Sequence, residues 1–175
     1  MAVSTLVSTA GASNANTYCT RSDANQYDDD NPQSGTTWSS ASNDQKDQAL
    51  LMATRLLDEH VDWTGAASDS VQRLTWPRTG MWDRNGYGLD SDAIPDGLRD
   101  ATAEFARQVL AEDRMADDAV STKGIVGLKA GPVDLSFSGR GKPKVIPDAV
   151  FFLLAPSWFD SVRSRMNTTA ELVRT

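Results

Sequence analysis

The chain has 175 residues, with 24 acidic side chains against 17 basic ones, a formal charge of −7 and one cysteine. That balance argues against a general nucleic-acid binder, whose affinity comes mainly from cationic groups that displace phosphate counterions. Cys19 can form no internal disulfide, which suits a reducing compartment or a disulfide-free particle, and the length fits one domain with its own core.

Residues 1–16 are small and polar, and read as an extended N-terminal arm, a strand that a neighbour could borrow. They show neither a basic start nor an apolar run of signal-peptide length. The longest apolar run, Ala149 to Pro156, falls far short of the roughly 20 residues that span a bilayer, so no membrane is expected. Thr20 or Ser22 can cap a short helix carrying Ala24 and Tyr27, which the run Asp28-Asp29-Asp30-Asn31-Pro32 should end. A Ser, Thr and Gly loop follows, pinned to the body by Trp38. Ser42 or Asn43 starts a strong helix whose Ala49, Ala53, Leu56, Leu57 and His60 share one face; Trp63 and Thr64-Gly65 close it.

Ile94-Pro95-Asp96 opens a second long helix, with proline at its first position and Leu98, Ala101, Thr102, Phe105 and Val109 on its apolar side. Around residues 125–138 the period changes to two. Val126 and Leu128, then Val133, Leu135 and Phe137, flank Lys129-Ala130-Gly131-Pro132 and read as a β-hairpin. Arg140 to Lys144 is a basic loop. Ile146-Pro147-Asp148 opens a short, very apolar helix through Val150, Phe151, Leu153 and Leu154 that Pro156 stops. The expected fold is mainly α: a small helical bundle with one β-hairpin, an arm at 1–16, a domain at 17–156 and a C-terminal docking tail at 157–175.

Signatures of catalysis are sparse. His60 is the single histidine, on the apolar side of a helix, and reads as a half-buried, satisfied side chain. No Cys-x-x-Cys, His-x-x-x-His or P-loop occurs, and Gly80, Gly86 and Gly88 neither follow a strand nor open a helix as a dinucleotide fingerprint must. Asp83, Asn85, Asp90 and Asp92 loosely resemble a calcium loop, but the twelfth position from Asp83 is Ile94, where an EF-hand needs glutamate. Turn chemistry explains them, and neither cofactor nor metal is expected.

The densest segment runs from Leu74 to Asp90 and holds Trp76, Arg78, Trp82, Arg84 and Tyr87. Tryptophan and arginine often dominate protein interfaces. For Trp76-Pro77-Arg78 two readings stand open: a stiff contact loop, or a core tryptophan beside an arginine paired to an acid.

The succession Asn16-Thr17-Tyr18, Ala24 to Tyr27, Ala49 through Asp58, Leu74-Thr75-Trp76-Pro77-Arg78-Thr79-Gly80, Ile94-Pro95, Gly127-Leu128-Lys129-Ala130-Gly131 and Pro147-Asp148-Ala149-Val150 resembles the head-to-tail adaptor (connector) proteins of tailed bacteriophages. Members of that group are also described as DnaT-like single-stranded-DNA-binding domains. The likeness covers about residues 14–156 and departs at Asp28 to Asp30 and beyond Pro156.

It implies a structural virion protein, not an enzyme, that forms a ring of roughly twelve copies in the neck beneath the portal, assembled in the host cytoplasm. Its partners would be the portal protein, a stopper, tail terminator or tail tube protein, and sister copies. Packaged double-stranded DNA would pass through the lumen without specific binding, since like charges repel within a Debye length of about 8–10 Å. On this reading Trp76, Arg78, Trp82, Arg84, Tyr87, Leu128, Leu135 and Phe137 make inter-subunit or neck contacts. Trp158, Phe159, Arg163 and Arg165 dock on the portal. The alternative is a single-stranded-DNA-binding replication accessory, with aromatics on a basic groove.

Overall fold

Thr20 ends the N-terminal segment and starts helix α1 (Arg21–Asp30): its hydroxyl accepts from the Asp23 amide while the Asp23 carboxylate accepts from the Thr20 amide. The helix ends inside the acidic run, at Asp30 with Asn31 as its C-cap, so Asp28 still belongs to its last turn. Asp28 is buried with Arg107, whose Nε lies 2.9 Å from the carboxylate, so one of the three acids is an internal counter-ion. Helix α2 (Thr36–Ser40) occupies what reads as a loop. It buries Trp38, whose indole N–H donates to Asn25 at 3.0 Å and whose ring carries the Lys46 ammonium 5.3 Å from its centroid.

Helix α3 (Asn43–His60) starts as its cap predicts, with Ser42 and Gln45 in reciprocal bonds, and buries Ala49, Leu50, Ala53, Thr54, Leu56 and Leu57. Helix α4 (Asp96–Ala111) begins one residue later than expected, because Pro95 sits outside it as the cap. Its face of Leu98, Ala101, Thr102 and Phe105 packs on α3, and the helix also touches α1, α2 and a later helix, α5 (Asp148–Leu153). Near its start, a Cβ on Gly97 would stand 2.8 Å from the Leu153 carbonyl and 3.3 Å from the Trp158 ring. Glycine is what lets α4 and α5 come this close.

Among the described residues there are also three two-stranded antiparallel ladders. The expected hairpin is β4 (Gly127–Ala130) with β5 (Val133–Ser136). The other two lie outside what the sequence suggests: β1 (Val61–Trp63) pairs with β6 (Phe159–Val162), and β2 (Ala66–Ala67) with β3 (Arg78–Thr79). The body therefore runs past residue 156, through a 3-10 turn (Pro156–Trp158) and β6, where a docking tail was expected to begin. Residues 3–16 form no regular element yet lie on their own body: the Asn16 amide donates to the Val7 carbonyl, the Asn16 side chain accepts from the Val7 amide, and Ala15 is buried.

This computed structural model describes residues 3–31, 35–115, 127–130, 133–136 and 144–162. The chain is mainly α with one hairpin, and among the described residues no helix is long and apolar enough to cross a membrane.

Two glycines with positive φ separate backbone strain from steric clash. A Cβ on Gly65 (φ 68°) would meet the Thr79 carbonyl and lie 2.7 Å from Met81 Sδ, whereas one on Gly80 (φ 75°) would meet nothing within 4 Å. In urea unfolding, Gly65→Ala should cost roughly 2–4 kcal/mol and Gly80→Ala roughly 1 kcal/mol. Equal losses would contradict this packing.

Candidate functional site

Trp76 and Pro77 are interior, with Arg78 half-buried beside them. Trp76 is 1% exposed and lies between Trp63 (centroids 5.6 Å apart, planes at 89°) and Trp158 (5.4 Å, 59°). The Trp76–Pro77 peptide is cis. Asp58 holds the segment from α3, its carboxylate accepting from the Tyr18 hydroxyl and from both the hydroxyl and the amide of Thr75. The Tyr18 oxygen in turn accepts from the Trp76 amide at 3.2 Å. Burial pushes the Asp58 carboxyl above its ordinary pKa, opposed by the bonds from Thr75 and Tyr18 and by the charge of Arg78. Burial, then the Asp58 charge, raises the Tyr18 phenol well above its usual value.

Among the described residues Arg78 pairs with no acid at bonding distance. Its guanidinium donates to the carbonyls of Thr64 (2.6 Å), Thr75 (3.0 Å), Gly65 (3.0 Å) and Trp63 (3.4 Å), tying the turn after β1 to the chain entering β3. In the folded chain Trp76 is core, and the half-buried Arg78 braces the backbone around it.

Trp158 is likewise core, at 4% exposure, and Phe159 is half-buried, its ring 5.5 Å from that of Phe151. Leu128 and Leu135 are register partners across the hairpin, while Phe137, Arg163 and Arg165 lie outside the described residues.

The other half of the dense segment faces outward. Met81 is buried, and from it the chain makes a small turn: the Leu89 amide donates to the Met81 carbonyl at 2.9 Å, Trp82 bridges Gly88, and the Asp83 amide donates to the Tyr87 carbonyl at 2.8 Å. Asp83 builds the turn, its Oδ1 accepting from the amides of Asn85 and Tyr87, both at 2.8 Å, while Gly86 takes φ 85°. The carboxylate that loosely suggested calcium is thus aimed at its own backbone. Trp82 is left 56% exposed and Tyr87 72%.

This turn is fastened to the end of α5. Arg84 donates to the carbonyls of Leu154 (2.8 Å) and Phe152, and the Trp82 carbonyl accepts from the Trp158 indole (2.8 Å) and the Ser157 hydroxyl (3.3 Å). Phe152, on α5, is 77% exposed and belongs with Trp82 and Tyr87 as a third large aromatic open to solvent. The sequence reading passes over it. Its signal is that Val150-Phe151-Phe152-Leu153-Leu154 is apolar all round, more than a six-residue helix can cover.

Two shallow clefts flank the C-terminal end of α4. One, of about 270 Å³, has Met52, Leu56, Val109 and Leu110 in its wall, and the other, of about 210 Å³, has Trp38, Arg107 and Arg114. Both are below the usual range for a small-molecule pocket, roughly 300–1,000 Å³. Among the described residues no group of three or more His, Cys, Asp or Glu could hold a metal ion. Cys19 is buried, and burial raises its thiol to about 12, far from a reactive thiolate.

Residues 5–175 match the model of the family described as "Putative DnaT-like ssDNA binding protein", and the chain belongs to that family. No curated protein and no solved structure matches it. The family description speaks of single-stranded DNA, the reading ranked second on the sequence, and says nothing of phage adaptors.

Two measurements test this account. A raised folded-state pKa at Asp58 gives stability that is full below the unfolded value and lost as pH rises through the folded one, so wild type should lose stability relative to Asp58→Asn as pH climbs from about 4. Asp58→Leu, which strands the Tyr18 and Thr75 hydroxyls, should cost about 2–4 kcal/mol in urea unfolding. Trp82 is the one exposed tryptophan of the five, so its fluorescence samples the local charge. Raising salt to about 1 M should increase quenching by iodide and decrease quenching by caesium, as screening removes an acidic field.

Proposed function

We propose that the chain is a structural virion protein without catalytic activity, a head-to-tail adaptor whose exposed aromatic end is covered by another protein. The observation that carries this reading is the company those aromatics keep. Segments 81–92 and 144–154, which build the end, hold four carboxylates, Asp83, Asp90, Asp92 and Asp148, against two cations. Arg84 is held by backbone carbonyls and Lys144 lies 2.6 Å from Asp148, which leaves a net charge of −2 on these segments (four carboxylates against two cations). Large rings among acids suit a protein partner, because a phosphate backbone would be repelled there.

The sequence resemblance supplies the rest of the proposal: a ring in the virion neck beneath the portal, a stopper, tail terminator or tail tube protein on the other side, and packaged DNA passing an acidic wall.

The family match favours a second reading, a single-stranded-DNA-binding replication accessory. That function needs bases stacked on aromatics beside a cationic groove. Four of the five tryptophans, Trp38, Trp63, Trp76 and Trp158, are buried, and the segments that carry the exposed rings hold more carboxylates than cations.

Fluorescence anisotropy with a labelled oligo-dT separates the two. The adaptor reading expects no saturable binding at micromolar protein, even at low salt. Tight binding that weakens by about 10³-fold or more between 50 and 200 mM salt would overturn it in favour of the accessory protein.

A further inference from the structure

Rings as large as Trp82, Tyr87 and Phe152 each offer about 150–250 Å² to a partner. At this end they are held ready. The turn is pinned through Asp83 within itself, through Arg84 to α5 and through the Trp82 carbonyl to Trp158 and Ser157, so a partner has little backbone left to order.

Among the described residues, the charges on the two segments that build this end do not cancel. Asp90 and Asp92 are exposed beyond the turn, and both cations on the two segments that build the end are already engaged. A partner that covers the rings must therefore bring its own positive charge or leave carboxylates facing a low-dielectric contact, which is costly.

We infer that the end formed by Trp82, Tyr87 and Phe152 takes a basic polypeptide segment, one that lays apolar side chains on the three rings and sets lysine or arginine beside Asp90 and Asp92. This rests on the reading that another protein covers the end, and it adds the partner's chemistry. Arg84 is a positioning residue here: its guanidinium donates to the Phe152 and Leu154 carbonyls and so aligns the turn with α5, while its charge offsets one of the carboxylates on these segments.

A yeast-displayed library of random dodecapeptides, sorted on the full-length chain and counter-sorted on the Trp82→Ser, Tyr87→Ser, Phe152→Ser triple variant, tests this directly. All three substitutions are at exposed positions, and circular dichroism checks that the variant stays folded. The expected clones combine lysine or arginine with apolar residues, bind wild type at least about tenfold better than the triple variant, and lose about tenfold or more on raising salt from 50 to 300 mM. Asp90→Asn with Asp92→Asn, rings intact, should remove most of that salt dependence. Acidic or uncharged winners would overturn the basic-partner inference alone and leave protein contact standing. Clones that bind the triple variant equally well, or no clones, would overturn the docking site. Displacement of the clones by oligo-dT would overturn the inference and the adaptor reading together.

Discussion

The carboxylate of Asp58 is the joint on which this fold turns. A buried carboxylate is tolerated only when donors surround it, and here the donors come from stretches far apart in the chain: Tyr18 before α1, and Thr75 before the Trp76–Pro77 peptide. Satisfying Asp58 fixes the entry to the first helix, the C-terminal half of α3 and the long loop between β2 and β3. With Thr75 and Tyr18 held, the Trp76 amide finds the Tyr18 oxygen and the Trp76 ring is set between Trp63 and Trp158. Trp158 then reaches the Trp82 carbonyl. A polar contact in the interior thus ends, four residues later, in the placing of an exposed aromatic.

The tryptophan cluster shows which force dominates inside. The indole N–H groups of Trp63 and Trp76 are buried without an acceptor, while that of Trp158 has one. An unmade bond costs about 1–3 kcal/mol. Burying an aromatic side chain of 150–250 Å² at about 25 cal/mol per Å² contributes roughly 4–6 kcal/mol. Filling space outweighs the two unmade bonds, and the cluster is chiefly a packing device.

What was legible in the sequence was local. The caps Thr20–Asp23 and Ser42–Gln45 and the three-and-four spacing of α3 and α4 each lie within a turn or two of chain, so their physics can be read residue by residue. Contacts between distant residues were not legible. β1 and β6 have three and four residues, too short for alternation to show, and nearly a hundred residues separate them. The run Asp28 to Pro32 ends its helix as expected, but that Asp28 is an internal counter-ion did not show, because its partner Arg107 lies on another helix. At the candidate site the dense Trp and Arg segment stood out, but which half faces solvent depended on Asp58 and Tyr18. Phe152 was hidden inside an apolar run that reads as core.

Every long-range fastening of the exposed turn ends on a main-chain oxygen: that of Trp82 for Trp158 and Ser157, and those of Phe152 and Leu154 for Arg84. Such oxygens persist whatever side chain their residue carries. The identities at positions 82, 87 and 152 can therefore drift without loosening the mount, and lineages could retune what they grip here by swapping three rings while the scaffold beneath stays as it is.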